Sequence, residues 1–295
     1  MNQKIISLIV AACTLLTCCL TGCGANADTV NDDVGVDIDL WAIESERESI
    51  ASQAAEASQA AEASQVTEES QAAEENDEES KEESSDDDFD KSWFDDCVFM
   101  GDSMMLGLSF YAETTGMLGD AEFVCAASLG WVNSQWDLYD ENAVHPTYNG
   151  NLTLLQNACK VTDSHKAIVQ LGMNDIGIYS MDETFEKAET LIKKWRSFTP
   201  DLEIYLITIN PMISIRENES LNNAKIREYN ERLKTFTKQL DCGFVDSWSA
   251  IADENGELPL DLCNDIETQG IHLNYDGEGI LARTVINAIK ERNGN

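Results

Sequence analysis

The side chains able to do chemistry concentrate in three short stretches: Gly101-Asp102-Ser103, Gly172-Met173-Asn174-Asp175 and Gly270-Ile271-His272. Together they offer a hydroxyl, a carboxamide, carboxylates and an imidazole, which are the parts needed for acyl transfer. A serine hydroxyl is a weak nucleophile until a base takes its proton, and neutral imidazole is the base suited to pH 7. The side-chain N–H₂ of Asn174 can hold the oxygen that turns negative when a carbonyl is attacked. Asp175 can bind backbone amides and so hold its own loop. Each stretch also has an ordinary explanation. Asp102 or Ser103 can cap a helix, Asn174 can close an Asx-turn, and His272, one of three histidines, can be a surface residue. Only the combination argues for catalysis, with Ser103 as nucleophile and His272 as base.

Metal chemistry has less support. Of nine cysteines, Cys13, Cys18, Cys19 and Cys23 fall at the N-terminus. The remaining Cys97, Cys125, Cys159, Cys242 and Cys263 are odd in number and lack C-x-x-C spacing. No metal site is expected, and these thiols are expected to be free and buried.

The elements that must position the three stretches can be read from periodicity. Short apolar runs at 97–100, 122–126, 167–171, 204–209 and 243–245 fit strands buried on both faces. Helical patterns lie between and after them, most clearly at 181–198, 221–239 and 277–292. Strands alternating with helices predict a parallel sheet of about five strands in a three-layer α/β/α fold. In such sheets chemistry sits beyond the carboxyl ends of the strands. Gly101 allows a sharp turn there, and Ser103 then falls at a helix N-terminus, where its own N–H has no intrahelical partner.

Gly-Asp-Ser after the first strand, Gly130 after the second, Gly-x-Asn-Asp after the third and a C-terminal His resemble, in order and spacing, the SGNH or GDSL family of hydrolases. Asn210-Pro211 and Tyr229-Asn230 are accessory matches. The resemblance spans 91–295 and implies a flavodoxin-like domain hydrolysing esters without metal or organic cofactor. It implies an oxyanion hole formed by the Ser103 N–H, the Gly130 N–H and the Asn174 side chain. One position departs from the pattern. The family places Asp three residues before the His, and here that residue is Gln269. A carboxylate fixes the imidazole tautomer and stabilises the imidazolium, whereas Gln brings no charge. The candidates for orienting His272 are therefore Gln269, Asp265, Glu267 or a backbone carbonyl.

The N-terminus reads as an export signal. Residues 5–20 form an apolar run without charge, preceded by Lys4 and followed by Leu20-Thr21-Gly22-Cys23. This ending resembles the bacterial lipobox, which implies a signal at 1–22 and a diacylated Cys23 that anchors the protein on the extracytoplasmic face of a cell membrane. Residues 23–90 are then a linker. A six-residue repeat, SQAAEA at Ser52 and Ser58 with variants at Ser64 and Ser70, has no apolar seam for a coiled coil. The composition predicts a disordered acidic spacer. Its 67 residues from Gly24 to Asp90 hold 23 acidic and two basic side chains. From Lys91 onward there are 32 acidic and 16 basic residues, so the folded part is also anionic. Nucleic acid is excluded as a partner by charge. A monomer acting on a small-molecule or glycan ester is expected.

The expected reaction is two-step acyl transfer, with O-acetyl groups on carbohydrate or envelope glycan as the favoured substrate. Trp131 and Trp136, just past Gly130, are candidates for a sugar-stacking wall, with ordinary packing as the alternative. Lysophospholipase or thioesterase activity, O-acetyl transfer, or a weakened enzyme kept as a glycan-binding lipoprotein are the competing readings.

Overall fold

The computed structural model describes residues 89–140 and 142–294. The expected signal, the lipid site Cys23 and the linker up to residue 88 lie outside the described residues. Among the described residues, packing extends to the N-terminal side of Lys91. The Phe89 ring packs 5.5 Å from Phe94, and the Asp90 carboxylate caps the turn Lys91–Asp96 by accepting the Ser92 N–H at 3.1 Å.

Five parallel strands form the central sheet: β1 (Cys97–Gly101), β2 (Glu122–Cys125), β5 (Lys166–Gln170), β6 (Glu203–Ile207) and β7 (Gly243–Val245). Their order is β2-β1-β5-β6-β7. A small antiparallel hairpin, β3 (Thr147–Tyr148) with β4 (Asn151–Leu152), forms a second sheet, with Tyr148 packed against the core. All five residues of β1 are buried, as a continuous apolar run between two helical layers requires. The expected strands match within one or two residues at each end. The hairpin was not foreseen, because two-residue strands lying largely at the surface carry no periodicity.

The helices are α1 (Ser103–Thr115), α2 (Ala158–Thr162), α3 (Met181–Phe198), α4 (Asn223–Gln239), α5 (Ser247–Ile251) and α6 (Tyr275–Asn293). α3 spans the expected residues, and its buried side chains Phe185, Ala188, Leu191, Ile192 and Trp195 recur at helical spacing. Its N-terminus is fixed by Ser180, which accepts the Glu183 N–H at 3.2 Å. α4 begins where Asn222 accepts the Lys225 N–H at 3.0 Å, two residues later than its apolar pattern suggests. α3 and α4 lock together through Phe185, stacked on Tyr229 and edge-on to Phe236, both at 5.0 Å between ring centres. Each such fully buried ring stabilises the fold by about 1.5–3 kcal/mol. The result is the expected three-layer α/β/α arrangement.

The strand order sets the place for chemistry. From β1 the chain passes to β2 on one side, then returns to β5 on the other. The reversal leaves a crevice between β1 and β5 at their carboxyl ends. Ser103 follows β1 and Asn174 follows β5, so the expected groups flank that crevice.

Candidate active site

Ser103 is the first residue of α1, and the strand-to-helix turn before it is tightly made. A Cβ on Gly101 would lie 2.6 Å from the Gln170 carbonyl oxygen and from Met105 Cβ, so only glycine fits there. Asp102 caps α1, its Oδ1 accepting the Met104 N–H at 3.0 Å. Its Oδ2 accepts from Asn174 Nδ2 at 3.1 Å. The carboxyl group is wholly buried, and burial pushes its pKa up to about 7, against the opposing effects of the Met104 hydrogen bond and of His272. Asp102 therefore does more than cap a helix: it fixes one hydrogen of the Asn174 amide.

Asn174 stands in a turn held from three sides. Gly172 adopts φ +124°, and a Cβ there would meet the Tyr229 ring at 2.6 Å. Tyr229 Oη donates to the Leu171 carbonyl at 2.8 Å and accepts from Trp131 Nε1 at 2.8 Å. The second amide hydrogen of Asn174 goes to the Leu129 carbonyl at 3.1 Å. Next to it, Asp175 accepts the Trp131 and Val132 N–H groups at 2.8 and 3.0 Å, as its expected loop-holding role requires. Burial raises the Asp175 pKa to about 6, with those two backbone bonds opposing the rise. Tyr229-Asn230 serves the same frame, since the Asn230 side chain bonds both the N–H and the carbonyl of Ile209, each at 2.8 Å. Asn210 is also structural, its Oδ1 accepting the Ser247 hydroxyl at 2.7 Å.

His272 reaches the crevice from the C-terminal side. Its Nε2 lies 2.9 Å from Ser103 Oγ, and its Nδ1 lies 2.9 Å from Asp265 Oδ2. Asp265 Oδ1 accepts the N–H groups of Ile271 and His272, both at 3.0 Å. Burial disfavours its charge, yet the hydrogen bonds and charge of His272 outweigh this and hold its carboxyl below the usual range. Both partners are largely shielded from solvent, with side-chain exposures of 13% and 15%.

Two expectations for orienting His272 are corrected. Gln269 is exposed and Glu267 is 96% exposed, lying 3.8 Å from Arg216. The reason is the turn between Asp265 and Gly270. The Asp265 carbonyl accepts N–H groups from Thr268 at 2.9 Å and Gly270 at 3.2 Å, and Gly270 adopts φ +68°. This closes a loop that turns 267–269 outward and folds Asp265 under His272. A carboxylate is present, four residues earlier than the family spacing places it.

The Gly130 N–H, the expected third oxyanion donor, donates to Asn133 Oδ1 at 2.7 Å, just as both Asn174 hydrogens have internal acceptors. The glycine itself is required for another reason: a Cβ there would lie 2.6 Å from Asp175 Oδ1. Trp131 is no sugar wall, being buried with its ring 6.2 Å from Trp195. The sequence gives no sign of the role of Asn133 and shows Asp102 only as a helix cap. A carboxylate between an apolar strand and an apolar helix was the signal for the second.

Among the described residues no three His, Cys, Asp or Glu side chains are grouped to hold a metal ion. The five described cysteines are free thiols, four of them buried and Cys125 partly so.

The arrangement thus joins a hydroxyl, an imidazole and a carboxylate in one hydrogen-bonded line, beside a helix N-terminus and a fixed carboxamide. The family model described as GDSL-like Lipase/Acylhydrolase family matches residues 99–280. Among solved structures, a candidate acylhydrolase from Bacteroides fragilis NCTC 9343 is 17% identical, with TM-score 0.50, covering 66% of this chain and 86% of that one. A GDSL-like lipase from Bacteroides thetaiotaomicron VPI-5482 is 15% identical, with TM-score 0.47, and the shares covered are 66% and 88%. A catalytic mutant of an acetylxylan esterase from Geobacillus stearothermophilus is 13% identical, with TM-score 0.46 and shares of 65% and 93%. No curated protein matches in sequence. With the family model spanning β1 to α6, the chain belongs to the GDSL-like lipase/acylhydrolase family and is an ester hydrolase.

Proposed function

We propose that the protein is a membrane-anchored, extracytoplasmic serine esterase that removes O-acyl groups, acetyl above all, from carbohydrate. The observation that carries the mechanism is the line from Ser103 Oγ through His272 to Asp265, 2.9 Å at each step. With Asp265 accepting the Nδ1 proton, Nε2 presents its lone pair to the serine. Ser103 Oγ bonds the acyl carbon as its proton passes to Nε2, and the carbonyl electron pair moves onto oxygen. That oxyanion is received by the Ser103 N–H and by the Asn174 hydrogen that rests on Leu129, with the Gly130 N–H joining once Asn133 turns aside. Collapse breaks the bond to the alcohol, which leaves with the Nε2 proton. Water then attacks the acyl-enzyme by the same route and releases the acid.

The glycan reading rests on the expected location, with residues 1–22 as signal, Cys23 as lipid carrier and 23–90 as spacer to a domain at 91–295. One observation favours a longer acyl chain, as in a lysophospholipase or thioesterase. Ile178 and Ile215, on loops after β5 and β6, are 74% and 69% exposed. A chain-length profile separates the two. With p-nitrophenyl acetate, butyrate and octanoate, kcat/KM should fall as the acyl chain grows, and Ser103→Ala should abolish all three activities. A maximum at octanoate would replace acetyl with a lipid or thioester substrate, and an active Ser103→Ala variant would end the serine mechanism.

A further inference from the structure

Just past the Gly130 turn lies an open cavity of about 430 Å³ whose walls are Gln135, Trp136, Asp137, Asp140 and Asn142. This set combines an indole with carboxylates and amides, the chemistry that matches a pyranose: an indole can stack on its C–H face, and oxygens accept from its hydroxyls.

The loop backbone beneath this open cavity is held by hydrogen bonds. Gln135 Nε2 donates to the Trp131 carbonyl at 2.8 Å and the Lys187 carbonyl at 2.9 Å, leaving its Oε1 as the group able to face a ligand. The Trp136 N–H donates to the Asn133 carbonyl at 3.1 Å. Buried His145 holds the loop from behind, its Nε2 3.3 Å from the Asp137 carbonyl. A loop backbone held before binding loses little entropy when a ligand arrives.

Position and charge narrow the ligand. Leu129 bonds Asn174, and Asp175 bonds Trp131 and Val132, so the segment leaves directly from the oxyanion side of the site. Trp136 follows Gly130 by six positions, a span of at most about 22 Å even if extended. From Trp131 to Asn151 there is no Lys or Arg, while Asp137 and Asp140 face the cavity. Uronic acids, phosphates and sulfates would meet repulsion without a counter-charge.

We propose that the Trp136 cavity is a subsite for an uncharged pyranose, binding a neighbouring sugar unit of the glycan whose ester meets Ser103. The inference rests on the glycan reading above and deepens it. The test titrates the full-length Ser103→Ala protein with unacetylated cello-oligosaccharides, following tryptophan fluorescence and calorimetry. Saturable binding is expected, weakened about tenfold by Trp136→Ala, the loss of roughly one stacked ring. Polygalacturonate oligomers should bind far less well. A companion assay follows acetate release from partially O-acetylated cello-oligosaccharides. There Trp136→Ala should raise KM about tenfold with kcat little changed. If wild type releases acetate from them and Trp136→Ala keeps the same KM and affinity, the subsite is overturned while the glycan reading stands. If wild type cleaves p-nitrophenyl acetate but no acetylated oligosaccharide, the glycan reading fails. In that case absence of oligosaccharide binding to the Ser103→Ala protein overturns the subsite as well.

Discussion

At the scale of single residues, the account turns on Asp265. It holds four contacts, with His272 Nδ1, two backbone N–H groups and the Cys263 thiol, so its removal disturbs both the tautomer and the charge of the base. Asp265→Asn should lower kcat by about 10⁴, whereas Gln269→Ala, on the outer side of the turn, should stay near wild type. Steady-state kinetics with p-nitrophenyl acetate checks both. Asn174→Ala should cost about 10²–10³ in kcat with KM roughly kept, as expected for one lost oxyanion donor. Asp102→Leu should impair kcat too, because it releases the amide hydrogen that Asp102 fixes. The nucleophile, base and carboxamide were legible in the sequence because each follows an apolar strand or precedes a helix. The orienting carboxylate was legible only as one of several. Its place depends on a turn closed by backbone bonds and a positive φ at Gly270, and spacing alone does not display that.

At the scale of elements, the site is positioned by two loops that admit no Cβ at key points. Gly172 is the sharper case, combining φ +124° with contact to the Tyr229 ring. Gly172→Ala should destabilise the fold by about 1–3 kcal/mol or more, from backbone strain and displacement of Tyr229. Thermal unfolding measures the loss, and an unchanged Tm would show that the Leu171–Asn174 turn adapts freely. The long elements were readable because they bury a full apolar face. α3, with Phe185, Ala188, Leu191, Ile192 and Trp195 on one side, is the clearest. The hairpin of β3 and β4 and the five-residue helices α2 and α5 were not, since each is too short to complete a period. Trp131 shows the same limit: its indole follows a candidate site glycine, yet the bond to Tyr229 and the packing on Trp195 draw it into the core.

At the scale of the whole molecule, burial of Asp102 and Asp175 links stability to pH. Their folded pKa values stand near 7 and 6, above the ordinary 3.8. Between about pH 4 and 7 the folded state therefore binds more protons than the unfolded one, and stability must fall as pH rises through that window. Above pH 7 this contribution levels off. Tm should be higher at pH 5 than at pH 7.5, and Asp102→Asn should flatten the difference. Asp265 acts oppositely, its stabilisation being lost only at pH values below the usual carboxylate range. The anionic spacer and the lipid on Cys23 belong to the proposed location. Cys23→Ala should leave an unprocessed or released protein, and normal membrane fractionation would contradict the anchor. The central claim is that Ser103 is a nucleophile activated by His272 and Asp265. Its most direct test is the rate of covalent labelling by a fluorophosphonate, with the modified peptide identified by mass spectrometry. The account predicts rapid modification of Ser103 alone in the wild type, strongly slowed in His272→Ala and in Asp265→Asn. Labelling at another residue, or an unchanged rate in both variants, would contradict it.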